Sequence, residues 1–327
     1  MITTPFGLSV QQTHQVLKSS CRAPSLHNSQ PWAFRLTADR IDLFLDSHRT
    51  LPAADPDGRE ARLACGAALF NLRLALARHG VSTAVTLSPK SGDGPLASLT
   101  RGDGFAFTPE RANLERAIPH RRTNRRPFFD ADVPAGHRLI LCRAAEAEQA
   151  ILEMVSVPAS LAQLAHWAAD AHRTQLADPS WLAEWSHWTG SDRSFDGVPV
   201  SAAGPAPSQH DVWTLRDFGG PGREHGTIEK SFEERPLLAV LSTYSDSGRA
   251  QVQAGQALER VLLHATGLGL AASFLSQLIE VEPVRRRVRD LMGGRYHPQA
   301  VLRIGFGGPV PTTPRRDVLD CLLNPVV

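Results

Sequence analysis

The sequence predicts an α+β fold built from two duplicated halves, with central sheets flanked by helices. Three observations lead to this prediction. The 327 residues suit two units of ordinary size better than one core. Strand-like segments followed by a long apolar helix occur twice along the chain. When Gly66 is laid on Gly255, further positions of the two long helices also match. We therefore expect a first half at residues 1–109 and a second half at residues 110–327.

In the first half, the hydrophobic pattern predicts a helix at 9–20, strands at 32–36 and 41–45, a helix at 57–80 and a strand at 81–87. A capping box at Ser9–Gln12 opens the first helix. Asp57 is expected to cap the second helix and Gly80 to end it. Because this second helix is apolar almost all round, it must be buried, and Gly66 would let another helix approach closely.

In the second half, the pattern predicts helices at 113–118 and from 133 to about 177, a strand at 236–243, helices at 246–267 and 284–292, and a strand at 300–306. Asp246 is expected to introduce the long helix, as Asp57 does in the first half. The positions that match between the halves are Asp57 with Asp246, Ala68 with Ala257, Leu69 with Leu258, Leu74 with Leu263, and Gly80 with Gly269.

A segment at about 178–226 has no counterpart in the first half. It is rich in glycine, proline and serine, and five of the six tryptophans lie in or beside it. Long irregular loops of this kind usually serve as lids or binding loops. The alternative is a solvent loop pinned by tryptophan packing.

Composition excludes several classes of protein. The chain is 42% hydrophobic and 21% charged, a globular balance that excludes disorder and fibrous architecture. The most apolar stretch, 268–281, is too short and polar for a membrane span, and the first residues do not resemble a secretion signal. The four cysteines lie far apart, which fits a reducing cytoplasm, and the thirteen histidines lack metal-ligand spacing. We expect a cytoplasmic protein without a metal site.

The basic residues are distributed unusually. Only three of the 35 are lysines and the rest are arginines, whose planar fork grips phosphates and carboxylates. Polar or basic clusters occur at 23–32, 120–128 and 313–317. A nucleic-acid surface would need interleaved aromatic residues and a more basic chain, so we expect no nucleic-acid partner. Alternating Arg121, Thr123 and Arg125 on one short loop suit a compact anion such as a phosphomonoester.

The same clusters resemble motifs of the nitroreductase-like flavoproteins, and look most like their Acg-type branch in actinobacteria. Residues 24–32 read P-S-x-x-N-x-Q-P-W, which is quite specific to that superfamily. The R-x-T-x-R stretch at 121–125 resembles the family's R-R-S-x-R phosphate motif, and the helix at 246–269 resembles its central helix. The strand at 303–307 and the basic segment at 314–319 resemble its terminal strand and tail.

The resemblance implies an FMN cofactor. Members of the family are normally homodimers with two FMN sites, each built from both subunits. Here the first half carries the P-S-x-x-N motif and the second half carries the R-x-T-x-R motif and the basic tail. The second half has no P-S-x-x-N match around 155–167. The resemblance therefore implies a fused pseudo-dimer, acting as a monomer, with one complete FMN site and one degenerate site.

Residue roles follow from the resemblance by position. Arg121, Thr123, Arg125 and one or both of Arg315 and Arg316 would hold the phosphate. The other candidates would contact the isoalloxazine ring or the ribityl chain; they are Pro24, Ser25, Asn28, Gln30 and Ser276. For Ser276, the contact would be that of its backbone N–H with the flavin N5. His27 is expected to shape its loop, and no side chain is assigned a catalytic role.

The function implied is that of an NAD(P)H-dependent oxidoreductase that passes electrons through FMN to a small electron-poor acceptor. The alternative is a protein that sequesters, stores or senses FMN, with its site closed by the lid and with little or no reductase activity. The lid would distinguish the two if Trp181, Trp185 or Trp188 covered the open face of the flavin. A nucleic-acid partner ranks far below both.

Overall fold

The chain forms two four-stranded antiparallel sheets with helices packed against them. The computed structural model describes residues 3–88, 94–190, 195–205, 213, 216, 218, 232–233 and 236–323. The predicted α+β class and the duplicated halves are confirmed.

The helices are α1 (Val10–Ser20), α2 (Arg59–Arg78), α3 (Pro109–Ala117), α4 (Ala135–Glu146), α5 (Pro158–Leu176), α6 (Pro179–Trp188), α7 (Gly248–Gly267), α8 (Gln277–Glu280) and α9 (Glu282–Leu291). The strands are β1 (Trp32–Leu36), β2 (Arg40–Leu45), β3 (Thr83–Leu87), β4 (Ala97–Arg101), β5 (Ile151–Val155), β6 (Leu237–Thr243), β7 (Ala271–Phe274) and β8 (His297–Gly305). Every helix in the described ranges is too short or too polar to cross a membrane.

The two sheets have the same topology. The strand order is β1-β2-β4-β3 in the first half and β5-β6-β8-β7 in the second, with every neighbouring pair antiparallel. Along the chain, a helix precedes each sheet (α1 and α4). A long helix then connects two strands of each sheet: α2 joins β2 to β3, and α7 joins β6 to β7. This shared order is what an internal duplication produces.

The long helices α2 and α7 match end to end. Laying Gly66 on Gly255 places Arg59 on Gly248 and Arg78 on Gly267, which are the first and last residues of the two helices. Gly80 and Gly269 then coincide, and both have a positive φ, of 75° and 73°. A residue in this left-handed conformation directly after a helix is a common way to end it, and glycine adopts it without strain.

The second half differs from the first by its insertions. β1 and β2 are joined by a short turn, whereas β5 and β6 are separated by α5 and by the 178–226 segment, which begins with α6. Helices α8 and α9 separate β7 from β8. The loop that carries the P-S-x-x-N motif, between α1 and β1, corresponds to the connection between α4 and β5, which consists of residues 147–150. The expected position at 155–167 was therefore wrong, because those residues form the end of β5 and the start of α5.

Three strands were not predicted from the sequence. No strand was expected at β4 or at β7, and β5 interrupts the helix expected from 133 to about 177. Each has four or five residues, and β4 and β7 contain no valine or isoleucine. Pairing with longer neighbouring strands therefore stabilises them, and such tertiary contacts override local propensity.

The two predicted helix caps were wrong by one residue. Gly58, in the left-handed region with φ 65°, precedes α2, and Asp55 instead accepts the backbone N–H groups of the first turn at 3.0 and 2.8 Å. Ser247 caps α7 by accepting the N–H of Ala250. Asp246 forms an ion pair with Arg285 at 2.7 Å instead.

The two halves meet where α2 crosses α7. A Cβ atom on Gly66 would lie 2.1 Å from the carbonyl oxygen of Val252, and a Cβ atom on Gly255 would lie 2.0 Å from that of Leu63. Only glycine fits at either position, because real Cβ atoms do not approach so closely. The predicted close approach of another helix at Gly66 is thus observed, and the approaching helix is the duplicate of α2.

We expect Gly66→Ala to lower the free energy of unfolding by about 3 kcal/mol or more, because the new methyl group must push the helices apart. Urea denaturation monitored by circular dichroism measures this change. Gly136→Ala in α4 is the matched control, since nothing lies within 4 Å of a Cβ atom built there. It should leave stability unchanged or raise it by about 0.5–1 kcal/mol. Equal stability of the Gly66→Ala variant and the wild type would contradict this packing.

Candidate functional site

A cavity lies where the two halves meet. The loop at 22–28, the loop at 118–125 and the tail at 311–315 line it. Residues of α2, α7 and the end of β7 complete its wall, together with Phe218 of the insertion. Its empty space amounts to about 1120 Å³, part of which is open to solvent. Segments from both ends of the chain therefore converge on one concave site.

Most of the predicted cofactor-binding residues lie on this wall. They are Pro24, Ser25, Asn28, Arg121, Thr123, Arg125, Ser276 and Arg315. The structure thus brings the three sequence clusters together, although they are separated by up to about 290 positions along the chain.

The loop of the P-S-x-x-N motif has a strained backbone. His27, Asn28 and Gln30 have φ angles of 49°, 58° and 54°, in the left-handed region that non-glycine residues rarely adopt. The Ser25 hydroxyl accepts the backbone N–H of Gln30 at 2.9 Å and helps to hold this shape. Strain of this kind, costing about 1 kcal/mol or more per residue, is concentrated at ligand sites.

The basic loop is held in an extended form beside β7. Thr123 forms a parallel bridge with Ala272, and the N–H of Asn124 donates to the Ala272 carbonyl at 2.8 Å. Arg121, Thr123 and Arg125 all line the cavity beside this bridge, as does Arg122.

Asn28 ties the tail and the insertion to the motif loop. Its amide nitrogen donates to the carbonyl oxygens of Pro314 and Gly197, both at 3.0 Å. Its amide oxygen accepts from Arg315 Nη1 at 2.9 Å, and Arg315 Nη2 donates to the carbonyl of Arg22 at 3.3 Å. Both ends of the Asn28 amide are engaged, so its role in this arrangement is to position Arg315.

Two predicted binding residues do not reach the cavity. Gln30 is fully buried, donates to the carbonyl of Phe195 at 2.8 Å, and accepts the backbone N–H of Arg316 at 2.9 Å. The guanidinium of Arg316 lies 3.3 Å from the carboxylate of Asp46. Both side chains connect the tail to the first half and point away from the wall that Arg315 lines.

Arg121 is a buried cation with unused hydrogen-bond donors. Its Nε and Nη1 atoms have no hydrogen-bond partner within the described part of the chain, and Nη2 donates to the carbonyl of Arg22. Its Nε lies 3.6 Å from the carboxylate of Glu259, which accepts from Asn71 at 2.9 Å. Burial lowers the pKa of Arg121 and raises that of Glu259. Because the carboxylate of Glu259 lies beyond hydrogen-bond distance, the Nε and Nη1 donors of Arg121 are left without a partner among the described residues.

The neighbouring arginines share this excess of positive charge. Burial and the proximity of Arg121 lower the pKa of Arg125 to about 10. Burial, Arg121 and Arg22 lower the pKa of Arg315 to about 9. The lowered pKa values mean that the charged forms of these arginines are destabilised in the site. A bound anion would stabilise the charged forms and raise the pKa values again. The cluster is built to hold a phosphate or a similar anion.

Sequence reasoning missed charged and aromatic residues of the wall, among them Arg22, Arg122, Glu60 and Phe218. Arg22 and Arg122 add two further cations beside Arg121. Their signal was adjacency, because Arg22 directly precedes the P-S-x-x-N motif and Arg122 lies inside the basic run. Glu60 and Phe218 had no such signal, since each reaches the cavity only through the fold.

Glu60 places a carboxyl group on the wall in the first turn of α2. Burial raises its pKa to about 7, against the opposing effect of Arg59, whose Nη2 donates to Glu60 Oε1 at 2.6 Å. This carboxyl can therefore exchange a proton with a ligand of the cavity near neutral pH.

Ser276 connects the cavity to the insertion. Its hydroxyl accepts from Arg216 Nη1 at 3.0 Å, and Arg216 forms a buried ion pair with Glu280 at 2.7 Å. The predicted role of the Ser276 backbone N–H toward a cofactor stays a prediction. The side chain itself anchors the insertion to the turn after β7.

The tryptophans of the insertion do not line the cavity. Trp181 and Trp185 stack on each other with ring centroids 5.2 Å apart, and with Trp188 they belong to a hydrophobic cluster of the first half. Within the described part of the insertion, Phe218 takes the place we had considered for them. Its ring lies 4.4 Å from the guanidinium carbon of Arg125. Residues 191–194, 206–212, 214–215, 217 and 219–226 of this segment lie outside the described residues.

His27 is buried as a neutral side chain. Burial, aided by the charges of Arg216 and Arg125, lowers its pKa to about 3. Neither ring nitrogen has a hydrogen-bond partner in the residues that the structure describes, and its ring packs edge-on to Phe218 with centroids 6.1 Å apart. The expectation that His27 shapes its loop fits this environment.

The chain is similar to known proteins over nearly its whole length. It is 33% identical over 310 residues to Rv3131, named as a candidate NAD(P)H nitroreductase of Mycobacterium tuberculosis, covering 93% of this chain and 88% of that protein. It is 34% identical over 317 residues to acg of the same organism, which carries the same kind of name, covering 94% and 95%. No protein-family model matches.

Solved structures show weaker similarity. A nitroreductase of Bacteroides fragilis with bound FMN is 16% identical with a TM-score of 0.38, covering 61% of this chain and 92% of that one. The NADPH:FMN oxidoreductase of Vibrio harveyi in complex with NAD+ is 14% identical with a TM-score of 0.38, covering 62% and 73%.

The pKa of His27 predicts acid sensitivity. A histidine has a pKa near 6.5 in the unfolded chain and, here, about 3 in the folded protein. Between these values only the unfolded chain binds the proton. The contribution of His27 to stability is therefore complete above pH 6.5 and is lost as the pH falls toward 3, by up to about 1.4 kcal/mol per pH unit.

We expect His27→Asn to flatten the loss of stability between pH 6.5 and 5, since asparagine tolerates the left-handed backbone and does not titrate. Urea denaturation at several pH values measures the slope. His120→Asn, at an exposed position after α3, is the control and should keep the wild-type slope. Identical slopes for all three proteins would show that His27 is not held neutral.

Proposed function

The chain belongs to the nitroreductase-like family of its mycobacterial relatives, and from this premise we propose that it binds one FMN between its two halves. We further propose that it transfers electrons from NAD(P)H through this cofactor to a small electron-poor acceptor. Rv3131 and acg are named for NAD(P)H-dependent nitroreduction, and the cavity supplies the chemistry that an FMN requires.

The observation that carries the proposal is the unsatisfied guanidinium of Arg121. Arg121 lines the cavity with Arg125 and Arg315, whose pKa values are lowered in the same cluster, and its Nε and Nη1 atoms are buried without a partner among the described residues. A phosphate dianion would accept hydrogen bonds from this cluster and reduce the repulsion among the arginines. Each charge-assisted bond contributes about 1.5–3 kcal/mol.

The rest of the wall fits the remainder of such a cofactor. Leu63, Ile118 and Leu258 offer apolar surface for a planar ring, and Ser25 and Thr123 offer hydroxyl groups for its polar edge or chain. A bound FMN would supply the hydride-accepting ring. The residues of this chain bind and orient the cofactor, and Phe218 narrows the access of water.

We also propose that the two halves, 1–109 and 110–327, act together as one monomeric pseudo-dimer. The support is that the first sheet ends at Arg101, that α3 packs on α2 and α7, and that the wall of the cavity takes residues from both halves. Neither half contains the whole site.

Anaerobic titration of the purified protein tests the function. The protein should be yellow, with one FMN per chain, and NADH or NADPH should bleach the flavin absorbance within seconds to minutes; addition of a nitroaromatic or quinone should then restore it. A flavin that resists both nucleotides but yields to dithionite would contradict reductase activity and favour storage. A colourless protein that ignores added FMN would contradict the cofactor.

We expect Arg121→Gln and Arg315→Gln each to weaken FMN binding by about 10-fold or more, because each removes charge-assisted bonds to the phosphate. Fluorescence titration of the apoprotein with FMN measures the affinity. Arg126→Gln is the control, since it removes the same charge from the same loop without lining the cavity. Unchanged affinity in both site variants would show that the phosphate lies elsewhere.

A further inference from the structure

Two thiols from opposite ends of the chain lie side by side. Cys21 follows the last residue of α1, and Cys321 ends a short 3-10 turn at Leu319–Cys321. Their Sγ atoms are 3.8 Å apart, and both side chains are buried in the hydrophobic core of the first half. A shift of less than 2 Å would bring the sulfur atoms to bonding distance.

Both cysteines are close along the chain to the walls of the cavity. Arg22, which lines the cavity, directly follows Cys21, and Arg315 precedes Cys321 by six residues. In the part of the chain described here, the tail that carries Arg315 is attached to the first half by non-covalent contacts, such as the hydrogen bond from Leu323 to Phe34. A covalent bond between the two thiols would fix this tail in place.

The environments of the two thiols give them different reactivities. The S–H group of Cys21, as donor, and the guanidinium of Arg316 lower the pKa of Cys321. The interaction with Cys321 and burial raise the pKa of Cys21. Cys321 is therefore the better nucleophile, and its turn begins at the half-exposed Leu319, two residues earlier.

We propose that Cys21 and Cys321 are a redox-sensitive pair, and that a hydroperoxide converts them into a disulfide that clamps the Arg315 tail over the cavity. The sulfur of Cys321 attacks one peroxide oxygen, the O–O bond breaks, and Cys321 becomes a sulfenic acid. The sulfur of Cys21 then attacks that of Cys321 and water leaves. In sum, two thiols and one hydrogen peroxide give one disulfide and two water molecules.

The other two cysteines provide internal controls. Cys65 is buried in α2 and donates to the carbonyl of Pro31 at 3.3 Å, and burial raises its pKa. Cys142, in α4, donates to the carbonyl of Leu152 at 3.3 Å. Cys142 and Cys65 belong to different helices, and the thiol–thiol contact seen among the described residues is that of Cys21 with Cys321, so we expect neither Cys142 nor Cys65 to form a disulfide.

The test is titration of the full-length protein with hydrogen peroxide, followed by alkylation and peptide mapping. Two of the four thiols should be lost, in a single cross-linked peptide that joins residues 21 and 321 and that dithiothreitol releases. The wild type should gain about 5 °C or more in Tm on oxidation, because the bond closes a long loop. Cys142→Ser should behave like the wild type.

Two further variants separate the steps. In Cys21→Ser, the Cys321 sulfenic acid should persist and be trapped by dimedone, whereas Cys321→Ser should show neither product at Cys21. Four unchanged thiols in the treated wild type, or a cross-link through Cys65 or Cys142, would overturn the pair. Thiol mapping does not depend on the cofactor, so this result stands apart from the proposed function.

The clamp itself is tested by ligand release. Oxidation should slow the dissociation of FMN, or of inorganic phosphate where FMN does not bind, by several-fold in the wild type and not in Cys321→Ser. An equal rate before and after oxidation, with the disulfide present, would overturn the clamp.

Discussion

The close contact of α2 with α7 is the constraint on which the rest of the structure depends. At the crossing, Gly66 and Gly255 leave no room for a Cβ atom on either helix, so the two halves approach as closely as backbones allow. Because the helices are duplicates, each supplies the small residue that the other requires. The approach also sets the distance between the loops that lie on either side of the helices, since α2 contributes Glu60 and Leu63 to the cavity and α7 contributes Leu258. A wider crossing would therefore both weaken the core and open the site.

Duplication followed by divergence explains why the chain has one well-formed site. In the first half, the loop before β1 keeps the P-S-x-x-N motif and its strained left-handed residues. In the second half, the corresponding connection, between α4 and β5, consists of residues 147–150 and lacks the motif, whereas the basic loop and the tail line the cavity. Each half has thus kept one part of a composite site. The insertion between β5 and β6 adds Phe218 to this site, and its Arg216, paired with Glu280, donates to the hydroxyl of Ser276 behind the wall.

The sequence predicted the long elements and the convergence of three motifs, because these have strong local signals. Hydrophobic periodicity marks α2 and α7, and the spacing of residues within a motif marks a loop. It did not predict β4, β5 and β7, which are short and are stabilised by neighbouring strands. It also assigned Gln30 and Arg316 to the cofactor, although motif membership does not reveal which way a side chain points. Both turn inward to bind the loop to the tail. Glu60 and Phe218 reach the cavity only through the packing of distant elements, so no local pattern could have identified them.

The arginines of the chain have two different environments in the fold. Several arginines among the described residues are paired with a carboxylate, such as Arg216 with Glu280 and Arg285 with Asp246. Around the cavity the balance is different, because Arg121 has Glu259 at 3.6 Å as its nearby carboxylate while Arg125 and Arg315 add to the same positive field. Bringing buried cations together raises the free energy of the folded state unless an anion neutralises them. Ligand binding and folding are therefore linked at this site, since an anion that binds only the folded chain stabilises it in proportion to its affinity. An anion bound in the cavity would stabilise the fold by offsetting the repulsion among these arginines.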